Sequence, residues 1–220
     1  MKLNMHIHNQ SGFLITFCGL DGCGKTTQIT LLKEALEKME MSVFLTKQPT
    51  DFVRNSEIFR NYMDQADHDN FDYRALSLLC ASDRIQHCHG VIQPLLKEGN
   101  IVLSDRYFYS CLANLRARGY VEDEWIYEIA RSALKPDLSF FLDVPVETAV
   151  TRVRQRLAER DRYIDIGLQY RLRKEYIALA KENGGILLDS RETPAKTHEH
   201  ILQAVIQKID ARKLRIAQYI

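Results

Sequence analysis

Gly19-Leu20-Asp21-Gly22-Cys23-Gly24-Lys25-Thr26 fills every fixed position of the pattern G-x-x-x-x-G-K-[ST]. The residues before it, Phe13-Leu-Ile-Thr-Phe-Cys18, form a short apolar run that predicts a buried strand. After it, Ile29, Leu32, Leu36 and Met39 recur at helical spacing, which predicts a helix over Thr26–Met41. Strand, glycine loop and helix in that order are the setting in which this pattern holds phosphate. Glycines let backbone N–H groups turn inward around phosphate oxygens. The helix adds the positive end of its dipole. Lys25 is placed to reach the β- and γ-phosphates, and the Thr26 hydroxyl suits Mg²⁺. The expected triphosphate site is Gly19, Asp21, Gly22, Cys23, Gly24, Lys25, Thr26 and Thr27. Asp21 puts a carboxylate beside phosphates, which calls for a hydroxyl or a metal-bound water as its partner.

Working outward, apolar runs at Val43–Leu45, Ile101–Leu103, Leu138–Leu142 and Ile186–Leu188 predict four further strands. Helical patterns lie between them: 71–98 with a break or restart at Pro94, 122–134, 146 to about 160, 170–181 closed by Asn183-Gly184-Gly185, and 198 to about 214. Short apolar strands alternating with helices predict an α/β three-layer sandwich, a five-stranded parallel sheet with helices on both faces. Ligands of such sheets bind beyond the carboxyl ends of the strands, where each motif here falls. The expected organisation is a polar leader over 1–12 that frays, then one domain over 13–220 with an arginine-rich lid at about 150–168.

The chain of 220 residues carries a net charge of +1, so no long-range field draws it to nucleic acid or to a membrane. No stretch reaches the length of a membrane span and the leader lacks a signal-like apolar region, so neither secretion nor insertion is expected. Five cysteines at spacings that fit no zinc pattern are read as reduced thiols of a cytoplasmic protein.

Ile101-Val-Leu-Ser-Asp105 is an apolar strand ending in a carboxylate, the form of a metal-organising strand end, and Arg106 follows at once. An arginine there can hold a second phosphate group bidentately. Four segments, Phe17-Cys-Gly-Leu-Asp-Gly-Cys-Gly-Lys-Thr-Thr27, Ala81-Ser-Asp-Arg84, Asp105-Arg-Tyr107 and Pro136-Asp-Leu-Ser-Phe-Phe-Leu-Asp-Val-Pro145, come in an order and spacing that resembles the thymidylate kinases. Leu188-Asp189-Ser190 is similar as well, so the likeness runs from about Phe13 to the last helix.

The resemblance implies a nucleoside monophosphate kinase, usually a homodimer, that uses ATP and Mg²⁺ to phosphorylate thymidine monophosphate. It implies that Asp21 contacts the acceptor sugar, Arg106 its phosphate and Arg84 its base, while Asp105 organises metal and acceptor. The glycine loop contains no arginine, so the resemblance is to the class that supplies a catalytic arginine from the lid, Arg152-Val-Arg-Gln-Arg-Leu-Ala-Glu-Arg-Asp-Arg162. Arg160 and Arg162 match that pattern most closely. The expected catalytic set is therefore Lys25, Asp105, Arg106, Arg160 and Arg162, with Thr26 and Asp105 toward the metal.

Three departures from the family fall on the acceptor side. Lys47-Gln48-Pro49-Thr50 stands in place of Arg-Glu-Pro-Gly. Cys80 stands where an aromatic residue commonly stacks on the base. Ser110-Cys-Leu-Ala-Asn114-Leu115 ends without the usual Tyr-Gln. The expected acceptor site is Asp21, Lys47, Cys80, Arg84, Arg106 and Asn114. The departures leave three readings: a thymidylate kinase that tolerates them, a relative acting on another nucleotide or a nucleoside, and a nucleotide-binding paralogue without turnover. A nucleoside kinase needs a base for the 5′-hydroxyl, typically a carboxylate after the second strand, and Gln48 offers none.

Overall fold

A computed structural model describes residues 2–64, 71–160 and 163–217. Five parallel strands form one sheet in the order β2-β3-β1-β4-β5: β1 Phe13–Cys18, β2 Val43–Lys47, β3 Ile101–Asp105, β4 Leu138–Asp143 and β5 Ile186–Asp189. β1, at the centre, pairs with β3 from Phe13–Ile101 to Phe17–Asp105, and with β4 from Ile15–Leu138 to Cys18–Phe141. All six β1 side chains are buried, as a strand covered on both faces demands. Its carboxyl end, and those of β3 and β2, therefore open onto the same rim of the sheet.

The helices are α1 Lys25–Lys38, α2 Asp51–Arg54, α3 Glu57–Asp64, α4 Tyr73–His87, α5 Gln93–Lys97, α6 Phe108–Ala117, α7 Trp125–Ala130, α8 Val146–Arg154, α9 Ile166–Asn183 and α10 Pro194–Ala217. A π-helical turn, Cys88–Ile92, joins α4 to α5 directly ahead of Pro94. The chain therefore changes helical type before the proline and stays helical through it. α6 has no counterpart among the expected helices. Most of its residues are buried, so its sequence lacks the polar stripe that marks an amphipathic helix. The helix expected over 122–134 contracts to α7, and the one expected to run from Val146 to about Arg160 stops at Arg154, followed by a 3₁₀ turn at Leu157–Glu159.

The leader is packed against the domain, contrary to the expectation that it frays. Leu3 and Met5 are buried, and His6 forms a parallel bridge with Leu134. His8 Nε2 lies 3.2 Å from Asp137 Oδ2. Asp137 also accepts a 2.8 Å bond from the Leu14 N–H and pairs with Arg212 of α10, whose guanidinium lies 3.9 Å from the Phe13 ring centre. Polar composition suggested a solvated tail; the Asp137 carboxylate turns His8 inward, while His6 stays exposed and is held by its backbone.

Candidate active site

The glycine loop curls under the carboxyl end of β1. Gly19, Gly22 and Gly24 have φ of 136°, 82° and 101°, a region that L side chains rarely adopt. A β-carbon at Gly22 would collide with the Ala149 carbonyl of α8. Gly24 caps α1 without a side-chain bond, which leaves the first-turn N–H groups facing the loop. Lys25 is buried, and its ammonium donates to the carbonyls of Gly19 at 3.1 Å and Leu20 at 2.8 Å. The loop thus carries a desolvated cation at its centre. Ser190, just past β5, donates to the Cys23 carbonyl and fixes the loop from the far side of the sheet.

Arg106 follows β3 in a left-handed conformation, φ 70°, which costs on the order of 1–3 kcal/mol and persists only when its surroundings hold it. Its N–H donates to Phe17 O at 2.8 Å. Its guanidinium donates to Tyr176 Oη at 2.9 Å and meets Asp21 Oδ1 at 2.5 Å. Burial by itself would lower the Arg106 pKa; Tyr176, Asp21 and Asp105 outweigh it and lift the value well above the usual one, so the cation is fixed. Asp105 Oδ1 is buried and has no hydrogen-bond partner among the described residues.

A cleft of about 710 Å³ opens from the loop across the sheet rim. Of the expected residues, Gly19, Asp21, Gly22, Gly24, Lys25, Thr26, Lys47, Cys80, Arg84, Asp105, Arg106 and Asn114 all line it. Two do not. The Cys23 thiol is buried, 3.8 Å from Lys25 Nζ, and Thr27 is exposed outside the cleft lining. The loop and the first turn of α1 offer phosphate their backbone N–H groups, so neither assignment depends on where these side chains point.

The thymidylate kinase family model matches residues 17–201. Relatives include the probable thymidylate kinase of Pyrococcus horikoshii, 40% identical over 77% of this chain and 83% of that protein. The probable thymidylate kinase of Thermococcus gammatolerans is 35% identical over 90% of this chain and 98% of its own length. The thymidylate kinase of Sulfurihydrogenibium sp. is 33% identical over the same two shares. The chain belongs to the thymidylate kinase family.

The departures from the family pattern look different in three dimensions. Gln48 is wholly buried and does not line the cleft, so its change from glutamate is a change in the domain's interior. Arg54 of α2 lines the cleft and escaped notice in the sequence because nothing in Thr50-Asp-Phe-Val-Arg54 marks it. Its Nε donates to Pro49 O at 2.8 Å, and the same segment is tied to α4 by the Thr50 N–H at 2.8 Å from Asp83 Oδ2. Burial and the like charge of Arg106 draw the Arg54 pKa below its usual value, with Asp105 and Asp21 opposing and Arg84 adding to the repulsion. Two cations set against one another in a cleft favour an anion between them.

The lid assignments are revised as well. Arg160 is exposed and is not among the cleft-lining residues, while Arg156, one turn earlier, lines the cleft beside Glu159. Arg160 stands out by its likeness to the family's lid pattern; the chain leaves α8 at Arg154 and turns, which puts Arg156 rather than Arg160 against the cleft. Arg162 lies outside the described residues.

Proposed function

We propose that this protein transfers the γ-phosphoryl group of ATP to thymidine monophosphate, yielding the diphosphate and ADP. The observation that carries the reading is the contact between Asp21 of the glycine loop and Arg106 after β3, which brings the donor-phosphate loop and an acceptor-phosphate cation to one point of the cleft. Phosphoryl transfer of this kind needs little covalent help from the protein; it needs positioning and neutralised charge. Lys25 moves its ammonium from the loop carbonyls to the β- and γ-phosphates. Arg106 and Arg54 hold the acceptor phosphate in line, and Arg156 approaches from the lid side. Thr26 at the start of α1 and the unpartnered Asp105 Oδ1 offer hard oxygen atoms at the cleft, the donor type that Mg²⁺ takes. When bound, Mg²⁺ neutralises charge on the β- and γ-phosphate oxygens.

The reading includes a site outside any membrane: no described helix is long and apolar enough to cross one. It also includes the family's homodimer, which light scattering on the purified protein reads directly. The test of function is ADP release with ATP, Mg²⁺ and a panel of nucleoside monophosphates. Selective turnover of thymidine monophosphate supports the reading, and absence of acceptor-dependent ADP release refutes it.

A further inference from the structure

α4 turns Tyr73, Ser77, Cys80 and Arg84 toward the cleft at intervals of four, three and four residues, which is one face of a helix. The middle of that face is small. Cys80 stands where the family commonly carries an aromatic ring, and Ser77 lies one turn before it. Ser77 and Arg84 are each 2% exposed, and both the Ser77 hydroxyl and Arg84 Nε lack a hydrogen-bond partner among the described residues. A buried polar group left unsatisfied is costly, so two on one helix face beside a cleft point to a bound molecule that satisfies them.

The far wall is already committed. Arg118 lies 3.8 Å over the Tyr73 ring and donates to Asn114 Oδ1 at 2.7 Å and to Tyr62 Oη at 3.0 Å. Asn114 Nδ2 in turn donates to Ser110 O at 2.8 Å. These groups hold one another. Among the described residues of this helix face, the Ser77 hydroxyl and Arg84 Nε remain without partners, on either side of Cys80.

We propose that Ser77 is a specificity-determining residue. With Cys80 it adapts the pocket to nucleoside monophosphates whose base carries a hydrogen-bonding group beyond the outline of thymine, a hydroxymethyl-substituted pyrimidine being the smallest such base. The proposal rests on reading the cleft as a nucleoside monophosphate site. Arg84 meets the ring, and the Ser77 hydroxyl meets the added group at the edge of the base, within reach because the side chain at position 80 is small.

The test compares thymidine monophosphate with 5-hydroxymethyl-deoxyuridine monophosphate, by kcat/KM and by calorimetric Kd, in the wild-type protein and in Ser77→Ala, Ser77→Thr and Cys80→Phe. In Ser77→Ala the ratio of the hydroxymethyl to the methyl substrate falls about five-fold, the worth of one hydrogen bond. Ser77→Thr, which keeps a hydroxyl, retains more of the ratio, and Cys80→Phe shifts it toward thymidine monophosphate. A ratio unchanged in Ser77→Ala and in Cys80→Phe, with thymidine monophosphate still turned over, overturns the proposal and leaves the family reading intact. A wild-type protein that neither binds nor turns over either nucleotide overturns both.

Discussion

Asp21 Oδ1 lies 2.5 Å from Arg106 Nη2, joining the glycine loop after β1 to the residue that follows β3. β1 and β3 are neighbours in the sheet with Phe17 opposite Asp105, so the parallel register delivers both residues to one point. Removing the guanidinium removes charge neutralisation in the transition state. Arg106→Ala is expected to lower kcat/KM for the acceptor on the order of 10²–10³-fold. ATP affinity, read by nucleotide titration, is expected to change little. A selective loss of ATP affinity would contradict the place given to Arg106.

Arg54 faces the same point from α2, and its lowered pKa records the repulsion of Arg106 as well as burial. Arg54→Gln should raise the KM for thymidine monophosphate about ten-fold or more, the share of one charged hydrogen bond, and leave the KM for ATP nearly unchanged. Steady-state kinetics with each substrate varied in turn separates the two. Equal effects on both KM values would move Arg54 away from the acceptor.

The sheet and the glycine loop were legible in the sequence because both depend on short-range patterns. Five apolar runs gave five strands, and Gly19 to Thr26 gave the loop with its lysine. α6 was not, because a helix buried nearly all round has no periodic contrast. Arg54, Arg118 and Tyr176 were missed for another reason: Arg54 and Tyr176 reach the cleft through the packing of their helices and Arg118 from just past the end of α6, and nothing local to any of them differs from a surface residue. Gln48 shows the converse. Its position after β2 suggested a site residue, yet the chain turns it into the interior. His8 of the leader likewise gave no sign that a distant carboxylate, Asp137, would hold it.

That carboxylate gives a prediction about acid. Burial would raise the Asp137 pKa, but His8 at 3.2 Å, the bond from the Leu14 N–H and the charge of Arg212 outweigh it and hold the value below 3.8. A depressed folded-state pKa contributes stability that is present above the unfolded value and lost as pH falls through the folded one. Asp137→Ala should therefore destabilise the protein by about 3 kcal/mol at neutral pH, since it leaves Arg212 without its buried partner. The gap from wild type should narrow in acid below the ordinary aspartate range. Urea unfolding at several pH values reads both.

At the alkaline end the sign reverses. Burial pushes the Cys18 and Cys111 thiols from 9.0 up to about 12, and the Tyr109 hydroxyl from 10.0 up to about 12. Protons held more tightly in the folded state give stability that is full below the unfolded pKa and lost as pH rises through the folded one. Stability should fall between about pH 9 and 12, and alkylation of Cys18 and Cys111 in the native protein should be slow at neutral pH. Rapid labelling of either thiol before unfolding would contradict their burial.

The most direct measurement is ADP release with ATP, Mg²⁺ and thymidine monophosphate, in the wild-type protein and in Lys25→Ala. Acceptor-dependent turnover that Lys25→Ala abolishes is the predicted result, because the loop then lacks the charge that meets the β- and γ-phosphates. Turnover retained in Lys25→Ala, or none in the wild-type protein with this acceptor, would contradict the proposed reaction at its centre.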